Sequence, residues 1–91
     1  MLSKKHIRVI GRVQGVFFRH FAQKEASKLG LAGSVQNNSN GSVEIKVSGN
    51  DKDIYSFINW CHAGSPASKV EQVIVKELSE DITSKEFLII R

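Results

Sequence analysis

The sequence predicts an α+β fold of the ferredoxin-like type, a βαββαβ sandwich in which two helices cover one face of a four- to five-stranded, mainly antiparallel sheet. Three observations predict it. Several stretches alternate polar and apolar residues as half-buried strands do, and two segments carry apolar residues at helical spacing. Their order along the chain is β-α-β-β-α-β, followed by a short terminal strand. We expect a single domain spanning residues 1–91, since a chain of this length forms one modest core.

Residues 5–13 form the first predicted strand. Ile7, Val9 and Val13 lie on one face with Gly11 in register, whereas the alternate positions are mostly basic. Because successive side chains of a strand point to opposite faces, this alternation predicts a half-buried strand with its valine and isoleucine face towards the core.

The first predicted helix follows directly. Apolar residues recur in it at spacings of four, four and three, which places them on one helical face; they are Phe18, Ala22, Ala26 and Leu29. Gly30 comes immediately after the last of them, where a left-handed residue commonly ends a helix.

Residues 34–48 predict a β-hairpin. Val35 begins one arm, and the other arm alternates apolar with charged residues. The apolar positions of that second arm are Val43, Ile45 and Val47. Residues 37–41 connect the arms and end in Asn40 and Gly41, a pair that favours a hairpin turn because both tolerate positive φ.

A second helix is predicted after Gly49, where Asn50 or Asp51 can act as N-cap. Its apolar stripe comprises Ile54, Phe57, Ile58 and Cys61. We expect Cys61 to be a buried, unreactive thiol and Trp60 beside it to contribute packing. Gly64, Ser65 and Pro66 end the helix, and strands are predicted over residues 69–78 and 87–90.

The composition limits the classes of function. A net charge of +4 and an isoelectric point near 9.5 suit anionic partners, but the basic residues are scattered, as on an ordinary solvated surface. One cysteine excludes a disulfide within the chain and a cysteine-rich zinc site. No apolar run reaches the length of a membrane span, and no signal-peptide core precedes the first strand. We therefore expect a cytoplasmic protein.

Residues 11–19 have the features of a backbone anion site. Gly11 and Gly15 allow the chain to bend and approach a ligand, the N–H groups that open a helix follow, and Arg19 supplies a guanidinium. No side chain at this helix start can cap it, and its first charge is positive, against the helix dipole. A bound anion would satisfy both features; the residues alone leave open an ordinary turn capped by water.

At this point the residues resemble a known family. Residues 11–19, GRVQGVFFR, match the acylphosphatase signature G-x-V-Q-G-V-x-[FY]-R at every specified position. Residues 33–44, GSVQNNSNGSVE, look like the second motif of that family, and residues 64–70, GSPASKV, resemble its G-P-x-A-x-x-V turn. Two positions depart from the pattern: Ser34 stands where an aromatic residue is usual, and Ser65 where proline is frequent.

The resemblance implies an enzyme that hydrolyses the carboxyl–phosphate bond of acyl phosphates to a carboxylate and inorganic phosphate, without metal or cofactor. It implies Arg19 and Asn37 as the catalytic residues, the first binding phosphate and the second positioning water. The phosphate-binding loop that it implies consists of Gly15, Val16, Phe17, Phe18 and Arg19. From the departures we expect looser packing beside the site or altered affinity at Ser34, and a purely structural effect at Ser65.

The residues themselves support this division of roles. Asn37 shares the strand face of Val35, which should point to the core, so it is separated from the asparagines of the turn. We further expect Gln14 to shape the loop by hydrogen bonding and His20 to be an exposed helix residue. His6 and His62 have no metal-ligand spacing with His20, which predicts no metal site.

Other functions of this fold class are poorly supported. An RNA-recognition domain needs aromatic residues on the open sheet face, where this chain offers Glu44 and Lys46. A copper chaperone needs a Cys-x-x-Cys motif in its first loop, which has no cysteine. The remaining alternative is a non-catalytic acylphosphatase-like module that binds an anion or a partner. We expect a monomer whose partners are a small acyl phosphate and inorganic phosphate, with no nucleic acid and no membrane.

Overall fold

The computed structural model describes residues 1–91 and contains five strands and two helices. In chain order they are β1 (Leu2–Arg12), α1 (Phe18–Lys28), β2 (Ala32–Asn37), β3 (Val43–Asn50), α2 (Asp51–Ala63), β4 (Lys69–Glu77) and β5 (Phe87–Ile90). This order confirms the predicted ferredoxin-like arrangement. The first strand begins three residues earlier than predicted, because Leu2, Ser3 and Lys4 pair with the end of β3. Neither helix combines the length and the apolar character needed to cross a membrane.

The strands form one sheet in the order β4-β1-β3-β2-β5. Three of the neighbouring pairs are antiparallel, and only β5 runs parallel to its neighbour β2. The two helices pack on the sheet through a cluster of fifteen buried apolar residues. The sheet side of that core includes Ile7, Val9, Val35, Val43, Ile45 and Val47, so the predicted alternation of both β1 and the hairpin is confirmed.

Gly11 serves a different purpose from the one predicted. Its φ is +138°, and a Cβ placed on it would overlap the carbonyl oxygen of Lys69. The pairing of β1 with β4 also changes register between Ile10 and Gly11. The lack of a side chain at this position is therefore required by the close approach of β4, and the bend beside the predicted anion site belongs to Gly15, at φ +75°.

Both helices bury the predicted faces. In α1 the buried residues are Phe18, Ala22 and Ala26, and Gly30 follows the helix in the left-handed conformation. In α2 they are Ile54, Phe57 and Cys61. Cys61 is fully buried among apolar groups, and this desolvation raises the pKa of its thiol far above the usual range. It is thus a structural residue, as predicted.

The hairpin connection differs from the predicted turn. β2 continues to Asn37, which pairs with Val43, so the connection comprises residues 38–42. Only Gly41 has a positive φ there, at +91°, whereas Asn40 does not. Instead, the Asn40 side chain accepts a hydrogen bond from the backbone N–H of Ser42 at 3.0 Å. The connection keeps the predicted length of five residues but lies one position later, and this local side-chain bond stabilises it without a positive φ at Asn40.

Candidate active site

A cavity of about 500 Å³ lies beside the start of α1. Its walls come from the connection between β1 and α1, from the first turn of α1, and from the ends of β2 and β5. The lining residues are Val13, Gly15, Phe17, Phe18, Arg19, His20, Asn37, Ile89 and Arg91. Two arginines and no acidic side chain line it, so its electrostatic character favours an anionic ligand.

The start of α1 leaves its backbone donors free. Phe17 is the N-cap residue, it makes no side-chain capping bond, and no acidic residue occurs in the first turn. None of the backbone hydrogen bonds within the protein is donated by the N–H groups of residues 15–20. Free N–H groups at the positive end of a helix form an anion-binding arrangement, so the predicted absence of a cap is confirmed.

The loop before α1 is held in place from two sides. The Phe18 ring is buried in the core, with its centroid 5.2 Å from that of Trp60. The hydroxyl of Ser65, itself buried, donates a hydrogen bond to the carbonyl oxygen of Val16 at 3.0 Å. Ser65 therefore supports the predicted phosphate loop directly. These contacts fix the loop without using its N–H groups.

Arg19 projects from the first turn of α1 into the wall of the cavity and is partly buried. One terminal nitrogen of its guanidinium donates a hydrogen bond to the carbonyl oxygen of Ile90, at the end of β5, at 3.2 Å. A guanidinium has five N–H donors, so one fixed bond orients the group and leaves others for an anion. Sequence reasoning identified Arg19 but not this contact, which depends on where β5 joins the sheet.

Asn37 also lines this cavity, from the end of β2. It is the last residue of β2 and shares the core-directed face of Val35, as its position in the strand predicted. Its side-chain oxygen Oδ1 is buried and has no hydrogen-bond partner in the protein. An unsatisfied buried polar atom typically costs about 1–3 kcal/mol, which points to a requirement other than folding.

The cavity brings together most of the residues that the sequence singled out. Gly15, Phe17, Phe18 and Arg19 line it with Asn37, whereas Val16 lies outside the wall. His20 is exposed, as expected, and it also lines the rim. No three side chains of histidine, cysteine, aspartate or glutamate are grouped so that they could hold a metal ion.

Ser34 lies away from this site. It precedes Val35 in β2 and therefore points to the opposite face of the sheet from Asn37. There it lines a separate cavity of about 240 Å³ together with Lys46 and Leu88. Ser34 and Asn37 are therefore on different faces of the sheet, and an effect of Ser34 on packing or affinity at the site stays a prediction.

Comparison with known proteins identifies a family and related structures that this chain resembles over most of its length. The family model described as Acylphosphatase matches residues 5–89. An acylphosphatase of a Nocardioides species is 44% identical over 77 residues, which is 85% of this chain and 78% of the relative. The crystal structure of acylphosphatase from Bacillus subtilis superimposes with a TM-score of 0.92 at 43% identity and covers both chains completely. Full-length HypF, solved in a phosphate- and nucleotide-bound form, gives a TM-score of 0.90 at 36% identity, with all of this chain matching 12% of HypF.

Proposed function

The chain belongs to the acylphosphatase family, and we propose that its cavity hydrolyses acyl phosphates with Arg19 holding the phosphoryl group and Asn37 orienting the attacking water. The observation that carries this proposal is that the two side chains line one cavity around the unpaired N–H groups of the loop. Binding and water activation then come from different elements of the fold.

The phosphoryl group occupies the start of α1. The free N–H groups of residues 15–20 donate to its oxygens. Arg19 also donates to these oxygens, and its bond to the carbonyl oxygen of Ile90 holds the guanidinium in place. Phosphoryl transfer passes through a loose transition state whose charge is spread over three equatorial oxygens. Fixed donors aimed at those oxygens stabilise this charge without reorganisation during the reaction.

The leaving group needs no proton donor. Hydrolysis breaks the bond between phosphorus and the acyl oxygen, and the bonding electrons leave with the carboxylate. The conjugate acid of a carboxylate has a pKa of about 4, so this group departs as an anion at neutral pH. The absence of an acidic side chain from the cavity wall is consistent with such a reaction.

Water attacks phosphorus from the side of Asn37. In this role the buried, unpartnered Oδ1 of Asn37 accepts a hydrogen bond from the water, and no hydrogen bond within the protein opposes the rotation of the amide that this requires. A loose transition state needs little help from a general base, so a phosphoryl oxygen can receive the proton of the water. The balanced products are the carboxylate and dihydrogen phosphate.

Substitution of Arg19 tests the binding half of this proposal. We expect Arg19→Gln to lower kcat for benzoyl phosphate by about 100- to 1,000-fold, the usual result of removing a preorganised donor to the transition state. Inhibition by inorganic phosphate should weaken in parallel. Arg19→Lys should be almost as impaired, because a point charge does not reproduce the planar fork of a guanidinium.

Arg12→Gln is the matched control. Arg12 is exposed at the end of β1 and does not line the cavity. It should retain both kcat and phosphate inhibition, and circular dichroism should show that all three variants remain folded. Near-normal kcat in folded Arg19→Gln would contradict the role of Arg19.

A further inference from the structure

We propose that Gln14 is a positioning residue for this reaction, because its side chain ties the phosphate loop to the strand end that carries Asn37. The proposal rests on the roles proposed above for Arg19 and Asn37. In this role Gln14 sets the distance between the bound phosphoryl group and the oriented water.

The bonds of Gln14 join two segments that are far apart in sequence. Gln14 lies in the connection between β1 and α1, next to Gly15 of the cavity wall. Its Nε2 donates to the carbonyl oxygen of Asn38 at 2.7 Å and to that of Ser42 at 2.9 Å. Both N–H bonds of one amide are therefore used on the hairpin connection, in a partly buried position.

The hairpin connection keeps its shape through other bonds. The N–H of Asn38 donates to the carbonyl oxygen of Ser42 at 2.9 Å, and the N–H of Gly41 donates to that of Asn38 at 3.2 Å. The Asn38 side chain also donates to the Ser42 hydroxyl at 3.1 Å. Both carbonyl oxygens bonded by Gln14 thus have another partner. The turn therefore keeps its shape without the two bonds from Gln14. The specific effect of those bonds is to fix the turn relative to the phosphate loop.

This tether matters because Asn37 has little else to position it. Its Oδ1 has no partner, so the place of the amide follows from the backbone at the end of β2, adjacent to Asn38. A misplacement of about 1 Å in a reacting group can lower the rate about 100-fold. The phosphate loop, by contrast, is anchored independently by Phe18 and Ser65. Loss of Gln14 should therefore affect turnover and spare phosphate binding.

The test uses Gln14→Met, which keeps a similar side-chain volume and removes both donors, together with Gln14→Ala. Gln23→Ala is the matched control, since the Gln23 amide makes a comparable partly buried bond to the carbonyl oxygen of Phe87 at 3.0 Å. We expect both Gln14 variants to lose about 10- to 100-fold in kcat for benzoyl phosphate. Their inhibition constants for inorganic phosphate should stay within about twofold of wild type, and Gln23→Ala should change neither value.

A double-mutant cycle with Asn37→Ala makes the test specific. If Gln14 acts through Asn37, then adding Gln14→Met to Asn37→Ala should cause no further loss of kcat. Independent losses that multiply would overturn the positioning role, and so would normal kcat in Gln14→Met or phosphate inhibition that weakens as much as kcat falls. Normal kcat in Asn37→Ala alone would show instead that the proposed role of Asn37 is wrong, and the positioning role would fall with it.

Discussion

Phe17 is the only non-glycine residue with a positive φ in the protein, at 60°. A left-handed conformation costs an L-residue with a Cβ about 1–2 kcal/mol. The ring gives little in return through burial, since it is 75% exposed. This strain lies at the N-cap of α1, in a residue that lines the cavity, which is where strained backbone conformations are commonly retained.

We predict that Phe17→Gly raises the free energy of unfolding by about 0.5–1 kcal/mol. Relief of the left-handed strain exceeds the entropy that glycine adds to the unfolded chain. Denaturant titration measures the change, and Phe17→Ala is the control, because alanine removes the ring and keeps the strain. Equal stability gains in the two variants would show that the backbone conformation is not responsible.

At the residue scale, the sequence predicted which side chains belong to the site better than it predicted the contacts that those side chains make. The position of Asn37 in its strand predicted its inward direction, because strand side chains alternate. The bond from Arg19 to the carbonyl oxygen of Ile90 was not predictable. It depends on a backbone atom 71 residues away, whose position follows from the parallel pairing of β5 with β2.

The two helices begin in contrasting ways. In α2 the Asn50 side chain accepts a hydrogen bond from the N–H of Lys52 at 3.1 Å, and Asp51 and Asp53 add negative charge to the first turn. In α1 the first turn has neither a side-chain cap nor an acidic residue, and Arg19 adds a positive charge. The start of α2 is therefore complete within the protein, whereas the start of α1 is suited to an external anion.

We predict that inorganic phosphate stabilises the protein through α1. At about 100 times its dissociation constant it should add about 2.7 kcal/mol of stability, a rise of about 10–20 °C in Tm for a chain of this size. Differential scanning fluorimetry against sodium chloride of equal ionic strength measures it. Arg19→Gln should lose most of the response, and Asn50→Ala should lose about 1 kcal/mol of stability yet keep the response. An equal response in wild type and Arg19→Gln would place the anion elsewhere.

At the element scale, the order and type of the elements followed from periodicity, and the errors arose at connections. The Asn-Gly pair predicted a hairpin correctly, but the connection lies one residue later than predicted, because Asn37 pairs with Val43 as the last residue of β2. The motif around Gly11 predicts a role in bending the chain towards a ligand, whereas its close contact with Lys69 of β4 explains the need for glycine. Both errors have one cause, since pairing with a neighbouring strand decides where a strand ends and how a permissive residue is used.

The sheet topology explains why the site forms where it does. Both β1 and β2 are antiparallel to β3, so they run parallel to each other, and β5 runs parallel to β2. The carboxyl ends of all three strands therefore meet at one edge of the sheet. That edge receives the loop that follows β1, Asn37 at the end of β2, and Ile90 at the end of β5.

At the scale of the whole molecule, the alternative function is a non-catalytic module that binds an anion or a partner. A fold closely similar to this chain forms 12% of full-length HypF, so the same architecture occurs within a much larger protein. The fold alone therefore does not distinguish a hydrolytic site from an anion-binding module. Arg19 and Asn37 line the same cavity, which favours hydrolysis. A measurement of turnover distinguishes a hydrolase from a module that only binds an anion.

The most direct test of the central claim is steady-state hydrolysis of benzoyl phosphate, in the presence of EDTA, by the wild-type protein and by Asn37→Ala. We predict turnover by the wild type and a loss of about 100-fold or more in kcat for Asn37→Ala, with inhibition by inorganic phosphate unchanged. Asn59→Ala, an exposed asparagine of α2, should behave as wild type. No turnover by folded wild-type protein, or near-normal kcat in Asn37→Ala, would contradict the account.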